Sequence, residues 1–327
     1  MIIDSILISQ ELDILNLRLE LMYKFIDYFI TVESQKTFRD ESKELYFKKN
    51  IKMYEKFMSK IIYLEINNFP TPKNNEHESF WGNINWKNRC YQSNYIIHGI
   101  NKIIKNNNLN NEDLLKSKII FSDCDEIINP LILKDLISLN LSKEKIHKFD
   151  MEFYYYNIFT KGRLNWYGSF ITTLDNMINL INKGERQVES ARRNHAVPHI
   201  KNGGWHFSYF GDYTTQMTKI NSIADVFKIS SKELCDRINN YHDPLGRGGE
   251  INKSGGPMDL FKNTINENYY PEEIIFYQYN IQNEFSKIAF RNKSDNEIFF
   301  RLTKFYYNLF KELKNEKLFI LTYNDNN

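Results

Sequence analysis

The residues of this chain best suited to chemistry lie together, where three acidic side chains follow a short apolar run. The stretch 118–130 reads KIIFSDCDEIINP and places Asp123, Asp125 and Glu126 after the β-formers at 119–121. This pattern is typical of a buried strand that ends in carboxylates. In open α/β sheets, ligands bind outside the carboxyl ends of the strands. Two aspartates one residue apart suit a hard divalent cation, which could also hold a diphosphate. The alternative is a polar strand exit with solvated acids.

The elements that must position these acids predict an α/β sheet. Residues 2–8, 27–32 and 60–66 are apolar runs that predict strands, whereas residues 10–25 and 86–105 repeat apolar side chains at helical spacing. Strands and helices in this order are typical of a sheet with helices on its faces.

The second half of the chain adds further elements. The predictions are a short helix at 130–139, a long aromatic strand at 146–159, a glycine-flanked aromatic loop at 203–211, and helices at 220–240 and 296–317. No repeat or linker forces a domain boundary. We therefore predict one domain over residues 1–250, with a C-terminal helical extension over residues 251–327 packed on it.

Composition bounds the class of protein. A chain of 327 residues with 42% hydrophobic residues can bury a substantial core, and a formal charge of +2 predicts no nucleic-acid partner. Three scattered cysteines favour a reducing compartment over a disulfide framework or a zinc site. The sequence has no basic secretory leader and no apolar run of about 18 residues, so we expect a cytoplasmic protein without a transmembrane segment.

Three function classes fit these residues. The first is a nucleotide-sugar transferase, in which the acids hold a metal and the metal holds the diphosphate. The second is a metal-dependent phosphoester hydrolase that uses the same acids. The seven histidines are dispersed, which counts against a dinuclear hydrolase site. The third is a non-catalytic carbohydrate-binding protein, although such a module does not require a buried strand that ends in acids.

Five blocks of the sequence carry a family resemblance. They are QELD at 10–13 with Arg18, FITVES at 29–34 followed by TF at 37–38, FSDCDEI at 121–127, FYYYN at 153–157, and GGWHFSYFG at 203–211 with KI at 219–220. In this order they resemble glycosyltransferase family 17, the family of the bisecting β-1,4-mannosyl-glycoprotein N-acetylglucosaminyltransferase. The chain departs from the family pattern around Trp86 and at residues 222–225, which bears on the acceptor and the donor sugar.

The resemblance implies a GT-A-like fold and a specific reaction. The resemblance implies that Asp123 and Asp125 form an Asp-x-Asp motif, which binds a divalent metal, Mn²⁺ or else Mg²⁺, together with a UDP-sugar. Glu33 stands at the end of the first nucleotide-contacting strand. The implied reaction transfers N-acetylglucosamine from UDP-N-acetylglucosamine, with inversion to a β linkage, to a hydroxyl of a glycan or glycoconjugate.

Other candidate site residues each have a structural alternative. His206 is a candidate metal or phosphate ligand or a satisfied core histidine, and Trp205 lines the pocket or belongs to the core. Arg192 and Arg193 offset diphosphate charge or form a solvated basic turn. Glu126 contacts the UDP-sugar site, orients a neighbour, or caps the helix that follows it.

The catalytic base has several candidates, and the sequence does not choose among them. Asp212, Asp243 and Glu185 are the predicted carboxylates, with Glu152 a further one. Trp86 and Arg89 are candidates to face the donor from their helix, with a structural role as the alternative.

Overall fold

The sheet of this protein is mixed and large. The computed structural model describes residues 1–70, 83–141, 146–156, 160–162, 164–210, 213–225, 229–239, 242–244 and 260–262. In this part of the chain ten strands form one sheet. They are β1 (Ile2–Ile8), β2 (Tyr28–Ser34), β3 (Ile61–Ile66), β4 (Lys118–Asp123), β5 (Glu126–Ile128), β6 (His147–Tyr155), β7 (Thr160–Gly162), β8 (Phe170–Thr173), β9 (His199–Ser208) and β10 (Leu260–Lys262).

Helices connect and cover these strands. They are α1 (Leu12–Met22), α2 (Tyr46–Lys49), α3 (Ile84–Asn94), α4 (Ile96–Asn107), α5 (Asn111–Lys116), α6 (Pro130–Ser138), α7 (Leu174–Lys183), α8 (Gln187–Arg193), α9 (Tyr213–Ser222) and α10 (Ser231–Asn239), with a 3₁₀ helix at Ile51–Phe57. The predicted α/β class, a sheet flanked by helices, is confirmed. None of the helices in the described ranges has the length and apolar character needed to cross a bilayer.

The order of the strands brings the predicted acids to one edge. The strands follow one another as β10-β7-β6-β8-β4-β1-β2-β3, while β9 pairs with β6 and β5. The strands β4, β1, β2 and β3 are parallel, so their carboxyl ends share one edge. The register sets Asp123 beside Leu7 and Glu33 beside Ile8.

Alternation along β1 explains the two cores. Ile2 and Ile6 pack in the core on the side of α1 and α6, whereas Ile3 and Leu7 pack on the opposite side with α4 and α7. Both faces of the central strand are therefore apolar, as expected for a parallel strand covered on both sides. Two buried residues of β1 are polar: Asp4, whose carboxylate pairs with a buried arginine of α1, and Ser5, whose hydroxyl donates to the carbonyl of Ile120.

Local capping sets several helix starts. The side chain of Asn129 accepts a hydrogen bond from the backbone N–H of Leu131 at 3.0 Å, with Pro130 in the first turn of α6. Asn129 is therefore the residue that caps this helix, and the prediction that Glu126 caps it is wrong. Thr173 caps α7 in the same way, through a 3.1 Å hydrogen bond from the N–H of Asn176.

Three sequence-based elements need correction. The helix predicted at 86–105 is two helices, α3 and α4, joined at Tyr95. The helix predicted at 220–240 is also two, α9 and α10. The aromatic loop predicted at 203–211 is largely the strand β9. The helix predicted at 296–317, and with it the C-terminal extension, lies outside the described residues.

Candidate functional site

A cleft of about 420 Å³ opens at the carboxyl edge of the parallel strands. Its wall takes residues from the ends of β1 and β4, from β9, and from the helices α3, α8 and α9. Asp123 and Asp125 both line it, so the structure places the predicted acids in a cavity. This is where open α/β sheets bind ligands.

Arg18 of α1 fixes the acidic turn, residues 123–126, which joins β4 to β5. This side chain is fully buried and forms a two-pronged ion pair with Asp4, at 2.6 and 2.9 Å. It also donates to the backbone carbonyl oxygens of Asp123 and Glu126, at 2.8 and 2.9 Å, and to the hydroxyl of Ser122 at 2.5 Å. These bonds hold the peptide groups of the turn, which leaves the acidic side chains to point elsewhere.

Asp123 faces two arginines across the cleft. Its Oδ1 accepts from Arg89 at 2.8 Å and its Oδ2 from Arg192 at 2.6 Å. Burial raises the pKa of Asp123, but the guanidinium groups of Arg192 and Arg89 outweigh that effect and hold the pKa below its ordinary value. About a quarter of the side chain (25%) remains exposed to the cleft. Asp123 is therefore an ionised carboxylate that a ligand can reach.

Glu126 lies behind Asp123 and orients Arg192. It is fully buried and accepts hydrogen bonds from Arg192, from Trp166 Nε1 at 2.5 Å and from Ser169 Oγ at 2.6 Å. Burial works against its charge, yet the ion pair with Arg192 lowers the pKa of Glu126 to about 2. The cleft lining, as far as the structure describes it, does not include Glu126, so of its predicted roles the orienting one has geometric support.

Asp125 turns to the opposite side, toward a lysine and a histidine. Its Oδ2 accepts from Lys219 of α9 and lies 3.4 Å from His206 Nε2. Lys219 also pairs with Glu11 at 3.3 Å. Burial opposes ionisation of Asp125, but Lys219 and His206 hold its pKa below the ordinary value. The Asp125 side chain is only 4% exposed, far less than that of Asp123.

The strand β9 sends alternate side chains to the core and to the cleft. Trp205 and Phe207 belong to the core on the α1 side, while His206 and Ser208 line the cleft. This alternation follows from the two-residue period of a strand. The prediction that Trp205 lines the pocket is wrong, because its ring lies in that core with 1% exposure. His206 stacks on Phe153 with ring centroids 4.6 Å apart.

A basic wall lines the cleft near these acids. Arg192 belongs to α8 and is buried, so the alternative of a solvated basic turn does not apply to it. Its neighbour Arg193 is exposed and lies over the ring of Trp86, 4.3 Å from the centroid. Lys148 lies beneath the end of α8 and donates to the backbone carbonyls of Arg192 and Tyr167, the latter at 2.9 Å. Burial, and the nearby charge of Arg192, lower the pKa of Lys148 to about 7.

Glu33 takes a structural position instead of a place in the cleft. Its carboxylate accepts the backbone N–H of Phe47 at 2.9 Å and the hydroxyl of Tyr63 at 2.8 Å. The described lining of the cleft does not include Glu33. These contacts with α2 and β3 support a structural role for Glu33, and its predicted nucleotide contact stays a prediction.

The predicted catalytic bases lie away from the cleft or outside the described residues. Asp212 is not among the described residues. Asp243 is buried and Glu185 is exposed, and neither belongs to the cleft lining that the structure describes. Glu152 of β6 pairs with Lys161 instead. The described geometry therefore does not place Asp243, Glu185 or Glu152 in the cleft lining, and Asp212 stays a prediction.

Comparison with known families decides the class of the protein. The family model described as Glycosyltransferase family 17 matches residues 1–284 of the 327-residue chain. The chain belongs to glycosyltransferase family 17. A search of curated proteins finds no match. Members of a glycosyltransferase family act on a sugar donor and an acceptor, so the cleft of this family 17 protein is the candidate active site.

A divalent metal fits this glycosyltransferase site only in part. Within the described ranges, His, Cys, Asp and Glu side chains do not gather in a group of three that could hold a metal ion. The predicted trio of Asp123, Asp125 and His206 is thus not a ready three-ligand site. A cation that a diphosphate also holds needs only one or two carboxylates. Each oxygen of Asp123 accepts one hydrogen bond in the described structure and keeps a further acceptor position. Asp123 fits such a shared cation, and Asp125, which also lines the cleft but faces Lys219, is the second candidate ligand.

The sequence indicated Arg89 and Arg192 as site residues of this family 17 protein but not the other charged residues around its acids. Lys219 appeared only in a resembling block, and neither Lys148 nor Glu189 was predicted. Glu189 of α8 accepts from Arg89 at 3.1 Å and from Ser93 at 2.6 Å, which fixes α3 against α8. No local signal marks these pairs, because the partners come from distant parts of the chain.

Proposed function

We propose that this family 17 glycosyltransferase moves a sugar, with N-acetylglucosamine favoured, from a UDP donor to a hydroxyl of a glycan or glycoconjugate. The proposed reaction uses a divalent metal, Mn²⁺ before Mg²⁺, and inverts the anomeric centre to a β linkage, on a GT-A-like fold. The carrying observation is the cleft at the carboxyl edge, where ionised Asp123 meets Arg89 and Arg192. Its volume of about 420 Å³ falls in the range of small-molecule sites, roughly 300–1,000 Å³.

The basic side chains support the choice of a diphosphate donor. Guanidinium groups match phosphate oxygens in a two-pronged geometry, and Arg89 and Arg192 both reach the cleft. Lys219 adds an ammonium group on the side of Asp125. When the bond from the sugar to the diphosphate breaks, negative charge grows on the departing UDP, and groups fixed in advance stabilise it. A divalent cation held by Asp123 and Asp125 would supply a Lewis acid at the same diphosphate.

The proposed transfer is a single displacement. An acceptor oxygen attacks the anomeric carbon, its new bond forms as the carbon–oxygen bond to UDP breaks, and the bonding electron pair leaves with UDP. The acceptor proton passes to a carboxylate of the protein. Attack from the face opposite the leaving group inverts the centre, which gives the β linkage from an α-linked donor.

Aromatic side chains of the cleft support a sugar in this position. Trp166, Tyr167 and Tyr209 line it together with the stacked pair of Phe153 and His206. Aromatic faces offer large apolar surface at little conformational cost, and Tyr hydroxyls add hydrogen-bonding groups. A pyranose ring, with one apolar face and several hydroxyls, suits such a lining.

The test uses Asp123→Asn, which keeps the shape of the side chain and removes its charge. The matched control is Asp150→Asn in β6, a buried aspartate that pairs with Lys201 away from the cleft. We expect UDP-N-acetylglucosamine with Mn²⁺ to raise the melting temperature of the wild type and of the control, and to leave that of Asp123→Asn unchanged. The melting-temperature shifts produced by UDP, UDP-glucose and GDP, each with and without Mn²⁺, show separately how much the nucleotide, the sugar and the metal contribute to binding.

The other function classes predict different outcomes of the same screen. A phosphoester hydrolase would release phosphate from simple phosphoesters without an acceptor. A carbohydrate-binding protein would be stabilised by glycans and by no uridine nucleotide. If no uridine nucleotide stabilises the wild type, with or without Mn²⁺, the proposed donor is wrong.

A further inference from the structure

The carboxylates of the cleft differ in whether a basic side chain already holds them. In the described part of the chain, five acidic residues line the cleft: Glu11, Asp123, Asp125, Glu189 and Asp225. Four of them form ion pairs: Glu11 with Lys219, Asp123 with Arg89 and Arg192, Asp125 with Lys219, and Glu189 with Arg89. Asp225 is the exception. Among the described residues, no side chain forms a hydrogen bond or an ion pair with its carboxylate.

An ion pair makes a carboxylate a poor proton acceptor. Arg89 and Arg192 donate to the two oxygens of Asp123, and Lys219 donates to Asp125, so cations already occupy these carboxylates. A general base works best when its affinity for the proton is not suppressed, because efficiency follows basicity. Four of the five acids are thus already paired with cations, whereas no described side chain bonds to the carboxylate of Asp225.

The backbone around Asp225 is held firmly although its carboxylate is not. Arg39 donates to the carbonyl oxygen of Asp225 at 2.9 Å and to that of Ile220 at 3.0 Å. Asn85 donates to the carbonyl oxygen of Ala224 at 3.0 Å. Two side chains from separate segments thus fix the short stretch after α9 against the cleft. The guanidinium of Arg193 also interacts electrostatically with Asp225.

We propose that Asp225 is the catalytic base of this glycosyltransferase, the group that accepts the proton of the acceptor hydroxyl. This inference rests on the proposed function. As the acceptor oxygen bonds to the anomeric carbon, its proton moves to a carboxylate oxygen of Asp225, and the electron pair of the broken sugar–phosphate bond leaves with UDP. Asp225 starts as a carboxylate and ends as a carboxylic acid, so charge and atoms balance. The proton is returned to solvent after the products leave.

The experiment measures UDP release from UDP-N-acetylglucosamine and Mn²⁺, with methyl α-mannoside or methyl β-N-acetylglucosaminide as the acceptor and water as the default one. Asp225→Asn keeps shape and removes basicity, and we expect UDP release to fall about 100-fold or more, the usual contribution of a general base. Stabilisation by UDP-N-acetylglucosamine stays at the wild-type level. The matched control is Asp135→Asn on α6, an exposed aspartate outside the cleft lining, which keeps full turnover.

A second variant separates a chemical role from a structural one. In Asp225→Ala, added sodium formate supplies a small carboxylate in the vacated space. We expect formate to raise the rate of UDP release by this variant at least tenfold. Formate leaves the rate of Asp225→Asn unchanged, because the amide still fills that space. A purely structural Asp225 would show no rescue.

The outcomes distinguish this inference from the function on which it rests. UDP release by Asp225→Asn at the wild-type rate, or an Asp225→Ala variant that formate does not rescue, overturns the assignment of the base and leaves the donor proposal intact. A wild type that neither binds a uridine nucleotide nor releases UDP overturns the proposed function, and the base assignment with it.

Discussion

Two strand ends at the same edge of the sheet, on either side of β1, carry carboxylates with different contacts. At the end of β2, Glu33 is fully buried and holds backbone N–H groups of α2 and the hydroxyl of Tyr63. At the end of β4, Asp123 stays partly exposed and meets the guanidinium groups of Arg89 and Arg192. Both positions satisfy the sequence pattern of an acid after an apolar run, and only one lines the cleft.

The kind of partner separates the two ends. Glu33 is held by neutral groups, and burial raises its pKa, so its negative charge is poorly compensated. Asp123 is held by two cations that lower its pKa. Neutral backbone partners belong to the fold and stay in place, whereas long cationic side chains can exchange a carboxylate for a phosphate. The charge of the partner, more than the presence of an acid, therefore distinguishes the strand end that lines the cleft from the one that does not.

The largest expected effect comes from removing Arg192. In Arg192→Met, Glu126 and Asp123 lose the cation that compensates them, and stability falls by about 3–5 kcal/mol, as when one partner of a buried pair is removed. Urea unfolding followed by circular dichroism measures this loss. The control is the next residue, Arg193→Met, whose exposed contact with Trp86 is worth roughly 0.5–1 kcal/mol.

A double variant tests whether Glu126 is the cause of that loss. Arg192→Met with Glu126→Gln removes the uncompensated charge, so we expect part of the stability to return. Equal losses in the single and double variants would contradict the buried pair as the source.

Lys148 gives an intermediate effect that depends on pH. Its pKa in the folded protein is about 7, below the ordinary value of 10.5. Between these two values the unfolded chain binds a proton that the folded protein does not, so stability rises with pH across this window. Below pH 7 both states are protonated, and the contribution no longer changes. We expect the wild type to gain about 2 kcal/mol from pH 7 to 9 relative to Lys148→Met. Parallel curves for the two proteins in urea unfolding would contradict the lowered pKa.

The smallest expected loss of stability is that of a variant at the end of β2. Glu33→Gln retains hydrogen-bonding capacity and removes a charge that burial disfavours, so we expect a loss of only about 1 kcal/mol. The melting-temperature shift produced by UDP-N-acetylglucosamine should stay at the wild-type value. A loss of that shift would place Glu33 in donor binding, its predicted role.

The sequence predicts the parallel half of the fold well, because local pattern and burial agree there. The strand predicted at 2–8 matches β1, and those predicted at 27–32 and 60–66 match β2 and β3 within two residues. The junction between α3 and α4 escaped prediction because no glycine or proline marks it. There the N–H of Tyr95 is shared by two carbonyl oxygens of α3, and that of His98 bonds to the carbonyl of Tyr95 at 3.1 Å.

The strand β9 escaped prediction for a different reason. Its glycines look like loop signals, but they serve close packing between strands. A Cβ on Gly203 would lie 2.7 Å from the backbone nitrogen of Asp150, and one on Gly204 would lie 2.0 Å from the carbonyl oxygen of Ile127. Gly204 also has a φ of +134°, which favours glycine. The reason for both glycines is thus a tertiary contact that local pattern does not contain.

The site was predictable as to its acids and not as to their partners. The motif of Asp123 and Asp125 stands out in the sequence, yet the two arginines and the lysine that pair with them lie 34, 69 and 94 positions away. Pairing over such distances is decided by the order of the strands. The proposed base, Asp225, is marked by the lack of an ion pair with any described residue, and a single sequence cannot display such a lack.

The contacts of Arg18 carry a consequence for how the protein is made. Its bonds to the acidic turn join residues 104 to 108 positions apart, whereas its bond to Asp4 spans 14. At about 5–20 residues per second, a ribosome delivers the turn roughly 5–20 s after Arg18. During that interval the pair with Asp4 can form by itself, since both partners are already synthesised. The first strand and helix can thus pair before the acidic turn is synthesised, and the turn then bonds to Arg18. Contacts of such long range form slowly. Substitutions in the first twenty residues should therefore lower the yield of active enzyme during synthesis more than they alter the enzyme once it is folded.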